Sequence, residues 1–320
     1  MGNDTSVFLL FEFSKIWEIK IMYLTLFLVL YLMTITGNFL IISAVALDSH
    51  LHTPMYFFLM NLALQDLGSV SVIIPKAVLN LVMNRRYISY SGCVAQVLLF
   101  VFFLGSDVGI LTVMAYDRFV AICNPLKYDM IMSRKICTKM VGSVWITSFF
   151  NAVLNTMGTF ANHFCSNTIN QFYCEIPQLL KFACSDLYVV EIGYIIFTLT
   201  LIFGCFVFII VTYVQIFSVV SKIPSVQGRK KAFSTCFPHL TVFSIFLFSS
   251  SFAYLRPQSD KPLHLDFIIT IMYSIILPML NPLIYSMRNK DIKVALARIL
   301  GLRRFISMVN VIANRDKRKQ

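Results

Sequence analysis

An all-α membrane protein, built as a bundle of seven transmembrane helices with an extracellular N-terminus, follows from three properties of this sequence. The chain is 58% hydrophobic and only 13% charged, with a mean hydropathy of +0.76; soluble domains carry about 25% charged residues. Seven stretches are long and apolar enough to cross a bilayer, which takes about 20 residues. Lysine and arginine concentrate in alternate connections, the asymmetry that marks the cytoplasmic side. A water-soluble globule is excluded, and so is a disordered chain, which needs low hydrophobicity.

The spans fall at 21–47, 55–81, 93–120, 139–161, 190–220, 233–256 and 266–287. Turn and charge signals separate them, the first running from Asp48 to Pro54 and the last from Arg256 to Pro262. A membrane β-barrel would need alternating strands of about 10 residues, and these runs are longer and continuous. With the N-terminus outside, the outer connections hold seven Lys and Arg, the inner ones nineteen, and Lys76 within the second span completes the 27. The chain therefore divides into an extracellular N-terminus (1–20), a seven-helix domain (21–287) and a cytoplasmic helix with a basic tail (288–320). The net charge of +12 belongs to a cytoplasmic membrane face. A nucleic-acid surface would want stacking aromatics among its charges, and the tail has only Phe305.

The N-terminus lacks a basic region followed by a cleavage site, so the first span reads as a retained signal anchor. Asn3-Asp4-Thr5 is a glycosylation sequon on the outer side. Of eight cysteines, Cys93, Cys165, Cys174 and Cys184 face the oxidising side, where disulfides persist. Spacing allows three pairings among them. Cys123, Cys137, Cys205 and Cys236 lie in spans or near the cytoplasm and read as small buried hydrophobes.

Ionisable groups within spans mark functional sites by default. The clearest are Asp66 and Asp107. Asp107 and Arg118 are eleven residues apart and share a helix face at about 100° per residue. If Asp66 faces the same interior, two carboxylates occupy one polar pocket, where they could hold a cation or share a proton; the other reading is a water-filled hydrogen-bond network. No other cofactor is expected, and no metal site. Asp117-Arg118 ends the third span either as an interfacial charge pair or as a latch. Pro75, Pro238, Pro278 and Pro282 each remove a backbone donor and can kink their helices.

Four long motifs then carry a resemblance. Met114-Ala115-Tyr116-Asp117-Arg118-Phe119-Val120-Ala121-Ile122-Cys123 stands in the third span, and Lys231-Ala232-Phe233-Ser234-Thr235-Cys236 with His239 in the sixth. Pro278-Met279-Leu280-Asn281-Pro282-Leu283-Ile284-Tyr285 stands in the seventh, and Gly37-Asn38 with Pro54-Met55-Tyr56-Phe57-Phe58-Leu59 in the first two. Over residues 20–300 the chain resembles olfactory receptors, a branch of the rhodopsin-like G-protein-coupled receptors.

The resemblance implies a receptor, not an enzyme, of the plasma membrane and of sensory cilia, whose partners are a small volatile odorant, a stimulatory G protein and membrane lipid. It implies the disulfides Cys93–Cys174 and Cys165–Cys184. It implies a switch in which Asp117, Arg118, Tyr213, Asn281, Pro282 and Tyr285 rearrange, with Lys230 and Lys231 beside the G-protein cavity. Asp66 and Asp107 would match the family's mid-membrane ion site, for Na+ or a proton. Residues 289–302 would form an interfacial helix, on which Ile292, Leu296, Ile299 and Leu300 make an apolar stripe.

Helical spacing puts Phe100, Val101, Leu104, Gly105 and Val108 on one face of the upper third helix. Family position adds Phe197, Thr198 and Leu201 from the fifth helix, Leu247, Ser250, Ser251 and Tyr254 from the sixth, and Ile271 and Ser274 from the seventh. The set describes an apolar chamber with a few hydroxyls and no acid on its third-helix face, so a small uncharged hydrophobic ligand is expected. The sequence departs from the family at Phe119, Asn124 and Leu247; the last stands where many members have a tyrosine, so an activation step needing that hydroxyl is in doubt. A seven-helix transporter or channel is the alternative, and the lack of repeated halves argues against it. A retinal pigment would need a lysine in 266–287, which has none.

Overall fold

The computed structural model describes residues 7–11, 13, 16–181, 183–184, 188–222, 225–255 and 264–301. Asn3 lies outside them, as do the side chains of Lys230, Lys231 and Tyr254. Seven long helices form the bundle: α1 (Trp17–Leu47), α2 (Pro54–Val82), α3 (Tyr90–Cys123), α4 (Arg134–Phe160), α5 (Tyr188–Ser221), α6 (Val226–Leu255) and α7. The last runs through His264–Ile271, a π-helical turn at Met272–Ile276, and Leu277–Arg288. A further helix, α8 (Lys290–Ile299), follows. Helix is the form these sequences must take in lipid, where every backbone group needs a partner within its own segment. Leu32, Phe39, Phe150, Phe203 and Phe248 are each more than half exposed, as side chains facing hydrocarbon should be.

Each helix begins before its apolar run. Hydropathy marks only the part that crosses the membrane, while backbone hydrogen bonding continues into the polar flanks. So α4 starts at Arg134 rather than 139, and α6 at Val226, seven residues before its apolar run. α3 occupies the centre, packed against α2, α4 and α5 and touching α6. α1 covers α2, α7 and α8. The Asn289 side chain caps α8, accepting from the Asp291 and Ile292 amides at 2.9 and 3.2 Å. Ile292 and Ala295 of α8 are buried in the bundle's lower core, while Ile299 and Leu300 stay exposed.

The outer end is a built cap rather than a loose tail. Strand β1 (Val7–Leu9) pairs antiparallel with β2 (Tyr87–Ser89), Phe8 opposite Ile88. Leu9 also bonds to the α4–α5 connection, donating to the Asn167 carbonyl at 2.6 Å and accepting from the Ile169 amide at 2.7 Å. Phe8 and Leu10 are buried beside the Cys93–Cys174 disulfide. A second disulfide joins Cys165 to Cys184. Among the described residues, Cys123, Cys137, Cys205 and Cys236 form no disulfide. Disulfides at one end and most of the cations near the other agree with an oxidising exterior and a cytoplasmic base.

Candidate functional site

A narrow cavity runs between α2, α3, α6 and α7, with about 20 Å³ open to a water-sized sphere, room for about one water. Its apolar walls include Phe100, Leu104, Val242, Phe246 and Leu277. Its floor is polar: Asp66, Asp107 and Asn281 line it together. The Asn281 amide donates to both Asp66 oxygens, at 3.1 and 3.0 Å. Asp107 Oδ1 and Asn281 Oδ1 are buried acceptors without a hydrogen-bond partner among the described residues.

The roof comes from the α4–α5 connection. Tyr173 stacks edge-on against Phe100, with ring centres 5.2 Å apart, and its hydroxyl meets that of Tyr273 at 2.9 Å. Tyr273 donates to the Glu175 carboxylate. A phenol has one proton, so Tyr173 donates to Tyr273. The π turn in α7 carries Tyr273 and Ser274, and both line the cavity. Such turns occur often at functional sites.

The expected ligand-contacting residues divide. Phe100, Leu104 and Ser274 line the cavity. Val108 and Ile271 belong to the surrounding apolar cluster. The Ser250 hydroxyl is buried without a partner, and Ser251 is half-buried. Val101 packs in the outer cluster beside Cys93. Gly105 faces Ser148 of α4. Thr198 donates to the Asn151 side chain at 3.0 Å and accepts from Asn155 at 2.8 Å, joining α4 to α5. Phe197 and Leu201 are nearly half exposed on the outside of α5. Leu247 packs in the lower cluster, and its neighbour Phe246 lines the cavity.

Toward the cytoplasm, Asp117 is buried and accepts from the Tyr128 hydroxyl at 2.7 Å. Its partner is this tyrosine in the α3–α4 connection; among the described residues no ion pair joins it to Arg118. His239 of α6 bridges two helices, with Nε2 at 2.8 Å from the Leu111 carbonyl of α3 and Nδ1 at 2.9 Å from the Tyr213 hydroxyl of α5. A carbonyl only accepts, so Nε2 carries the proton; with the ring neutral, Nδ1 accepts from Tyr213. Lone histidines in apolar spans read as structural, and this one is a three-helix tie. The Tyr285 hydroxyl is buried without a partner among the described residues. The Tyr56 hydroxyl shares its one proton between Asn289 Oδ1 at 3.0 Å and Asp291 Oδ2 at 3.1 Å, fastening α2 to the start of α8.

This is the architecture of a rhodopsin-type seven-helix membrane protein. The fold superposes on that of squid rhodopsin with a TM-score of 0.72, at 17% identity, covering 91% of this chain and 88% of that one. The family model for olfactory receptors matches residues 27–303, and the chain belongs to the olfactory receptor family. It is 46% identical to human Olfactory receptor 14A16 over 303 residues, covering 94% of this chain and 98% of the relative. Against human Olfactory receptor 14I1 it is 45% identical, with 93% and 97% covered. It is accordingly a multi-pass membrane signalling receptor, not an enzyme.

Proposed function

We propose that this receptor binds a small, uncharged, mostly apolar odorant in the outer half of the bundle and activates a stimulatory G protein that raises cyclic AMP. The observation that carries the ligand class is the wall formed by Phe100, Leu104, Val242, Phe246 and Leu277. Burial there contributes roughly 25 cal/mol per Å², and the Tyr273 and Ser274 hydroxyls orient the ligand. The cavity is far below the roughly 300 Å³ of small-molecule sites, so an odorant must displace side chains such as Phe246 to enter. Activation is then a population shift toward the conformation with the larger chamber.

At the floor, Na+ or a proton joins Asp66 and Asp107. A hard cation takes oxygen ligands, and the partnerless Asp107 and Asn281 oxygens fit one. Lys230 and Lys231 serve the G-protein face, Asn3 carries glycan, the 288–320 tail lies in the cytoplasm, and the receptor resides in sensory cilia.

The test is a cyclic AMP screen of cells expressing the receptor against diverse volatiles. Neutral hydrophobic compounds are expected to dominate, and Phe246→Ala to extend the response to bulkier ones. A receptor answering only to charged amines or amino acids overturns the ligand class. Odorant-gated current in liposomes without G protein would favour a channel.

A further inference from the structure

A second cavity opens at the outer end, apart from the central one, with a volume of about 370 Å³, within the roughly 300–1,000 Å³ that small-molecule sites occupy. Three cations line it: Lys20, Arg85 and Arg86. No Asp or Glu is among its described lining residues; Glu12 lies outside the described residues. Lys20 donates to the Asn84 side-chain oxygen Oδ1, and Arg85 to the Tyr87 hydroxyl at 3.2 Å. Both acceptors are neutral, so both positive charges persist.

Asn84 holds a left-handed backbone, φ 51°, which asparagine tolerates better than most residues. The chain turns there toward the N-terminal segment, and the Arg86 carbonyl accepts from the Leu10 amide at 2.6 Å. Asn80 also lines the cavity and is only 7% exposed. The remaining wall is apolar, chiefly Phe11, Phe13 and Phe172.

We propose that this outer chamber binds an amphipathic carboxylate. Its head is held by Lys20 and Arg85 with the Asn80 amide, and its tail lies along Phe11, Phe13 and Phe172. An anion is what such a cation set selects, since charge-assisted hydrogen bonds to carboxylate are roughly twice as strong as neutral ones. The aromatic wall demands an apolar tail rather than a bare ion. Phe172 lies against Tyr173, with ring centres 5.0 Å apart, and Tyr173 roofs the central cavity. One aromatic layer, Phe172 against Tyr173, thus separates this chamber from the central cavity. This goes beyond the odorant reading and stands without it.

The experiment is calorimetric titration of the full-length receptor, in phosphatidylcholine nanodiscs, with octanoate and with its neutral counterpart octanol. The variants are the double substitution Lys20→Gln with Arg85→Gln and the charge-keeping pair Lys20→Arg with Arg85→Lys. Octanoate binding is expected to weaken roughly tenfold or more in the glutamine variant, the loss of a charge-assisted contact. It should survive in the charge-keeping variant, and octanol binding should be unchanged in both. No octanoate binding, equal octanoate affinity in all three proteins, or equal loss in both variants overturns the proposal. Adding phosphatidylglycerol to the nanodisc separates the two sources of such an anion: retained octanoate binding supports a soluble carboxylate, and its abolition assigns the chamber to a lipid headgroup and overturns it.

Discussion

The side-chain amide of Asn38 on α1 donates to the backbone carbonyl of Pro278 on α7 at 3.0 Å. That carbonyl is the one Pro282 would bond four residues later in a regular helix, and proline has no N–H to give. A residue 240 positions away supplies the missing donor. Gly37 makes the approach possible, because a Cβ there would sit 3.2 Å from the Pro282 ring. Two motifs far apart in sequence thus form one device: Gly37-Asn38 lets α7 carry prolines in lipid, where an unpaired carbonyl is costly.

Asn38→Leu should therefore destabilise the receptor by about 1–3 kcal/mol, the cost of a buried acceptor left unpaired. Thermal unfolding in detergent measures it. A melting temperature equal to wild type would show that the carbonyl finds another donor.

Tyr213→Phe removes the proton that His239 Nδ1 accepts and should cost a similar ~1–3 kcal/mol. Adding His239→Phe removes the orphaned acceptor as well, so the double variant should lose less than the sum of the single losses. Simple additivity would mean that the two side chains do not act as a pair.

Tyr128 donates to Asp117 from outside the spans, and burial, reinforced by the Asp117 charge, holds its hydroxyl above the ordinary tyrosine range. An acid raised in this way adds stability below its unfolded pKa, about 10, and that stability is lost as pH climbs through the folded value. The stability difference between wild type and Tyr128→Phe should thus be flat from about pH 6 to pH 8 and decline only in alkali above about pH 10. Melts across that series test it, and a slope near neutrality would assign the linkage to another group.

Two helical glycines should respond with opposite sign. A Cβ on Gly109 of α3 would stand 2.5 Å from a Val144 methyl of α4, and valine has little rotamer freedom to yield. Gly109→Ala should cost about 1–3 kcal/mol. Gly142 of α4 has nothing within 4 Å of its ideal Cβ, so Gly142→Ala should gain about 0.5–1 kcal/mol by restricting the unfolded chain. Equal melting temperatures for the two variants would contradict the packing.

The disulfides close loops of different length, 81 residues for Cys93–Cys174 and 19 for Cys165–Cys184. The chain-entropy account makes the longer bridge worth about 1 kcal/mol more. It also anchors Phe8 and Leu10 of the N-terminal strand. Replacing Cys93 and Cys174 by serine should lower surface expression and melting temperature more than replacing Cys165 and Cys184. The reverse order would place the main anchor of the cap in the shorter loop.

The sequence by itself determined that seven helices cross a bilayer, which end carries the charge, and to which family the chain belongs. Each of these is written in short contiguous runs: apolar stretches of about 20 residues, Lys and Arg counts by loop, and motifs such as the one around Asp117 and Arg118. Only the tertiary structure decided what those runs enclose. Helix rotation brings Asp66, Asp107 and Asn281 onto one cavity floor and Phe246 onto its wall. The π turn that carries Tyr273, the Tyr173 roof, the β1 strand in the outer cap and the chamber beneath Arg85 all depend on pairings between distant segments. No local periodicity encodes those, because they arise from how tilted helices and folded connections meet, and a cavity's volume follows from rotamers rather than from composition.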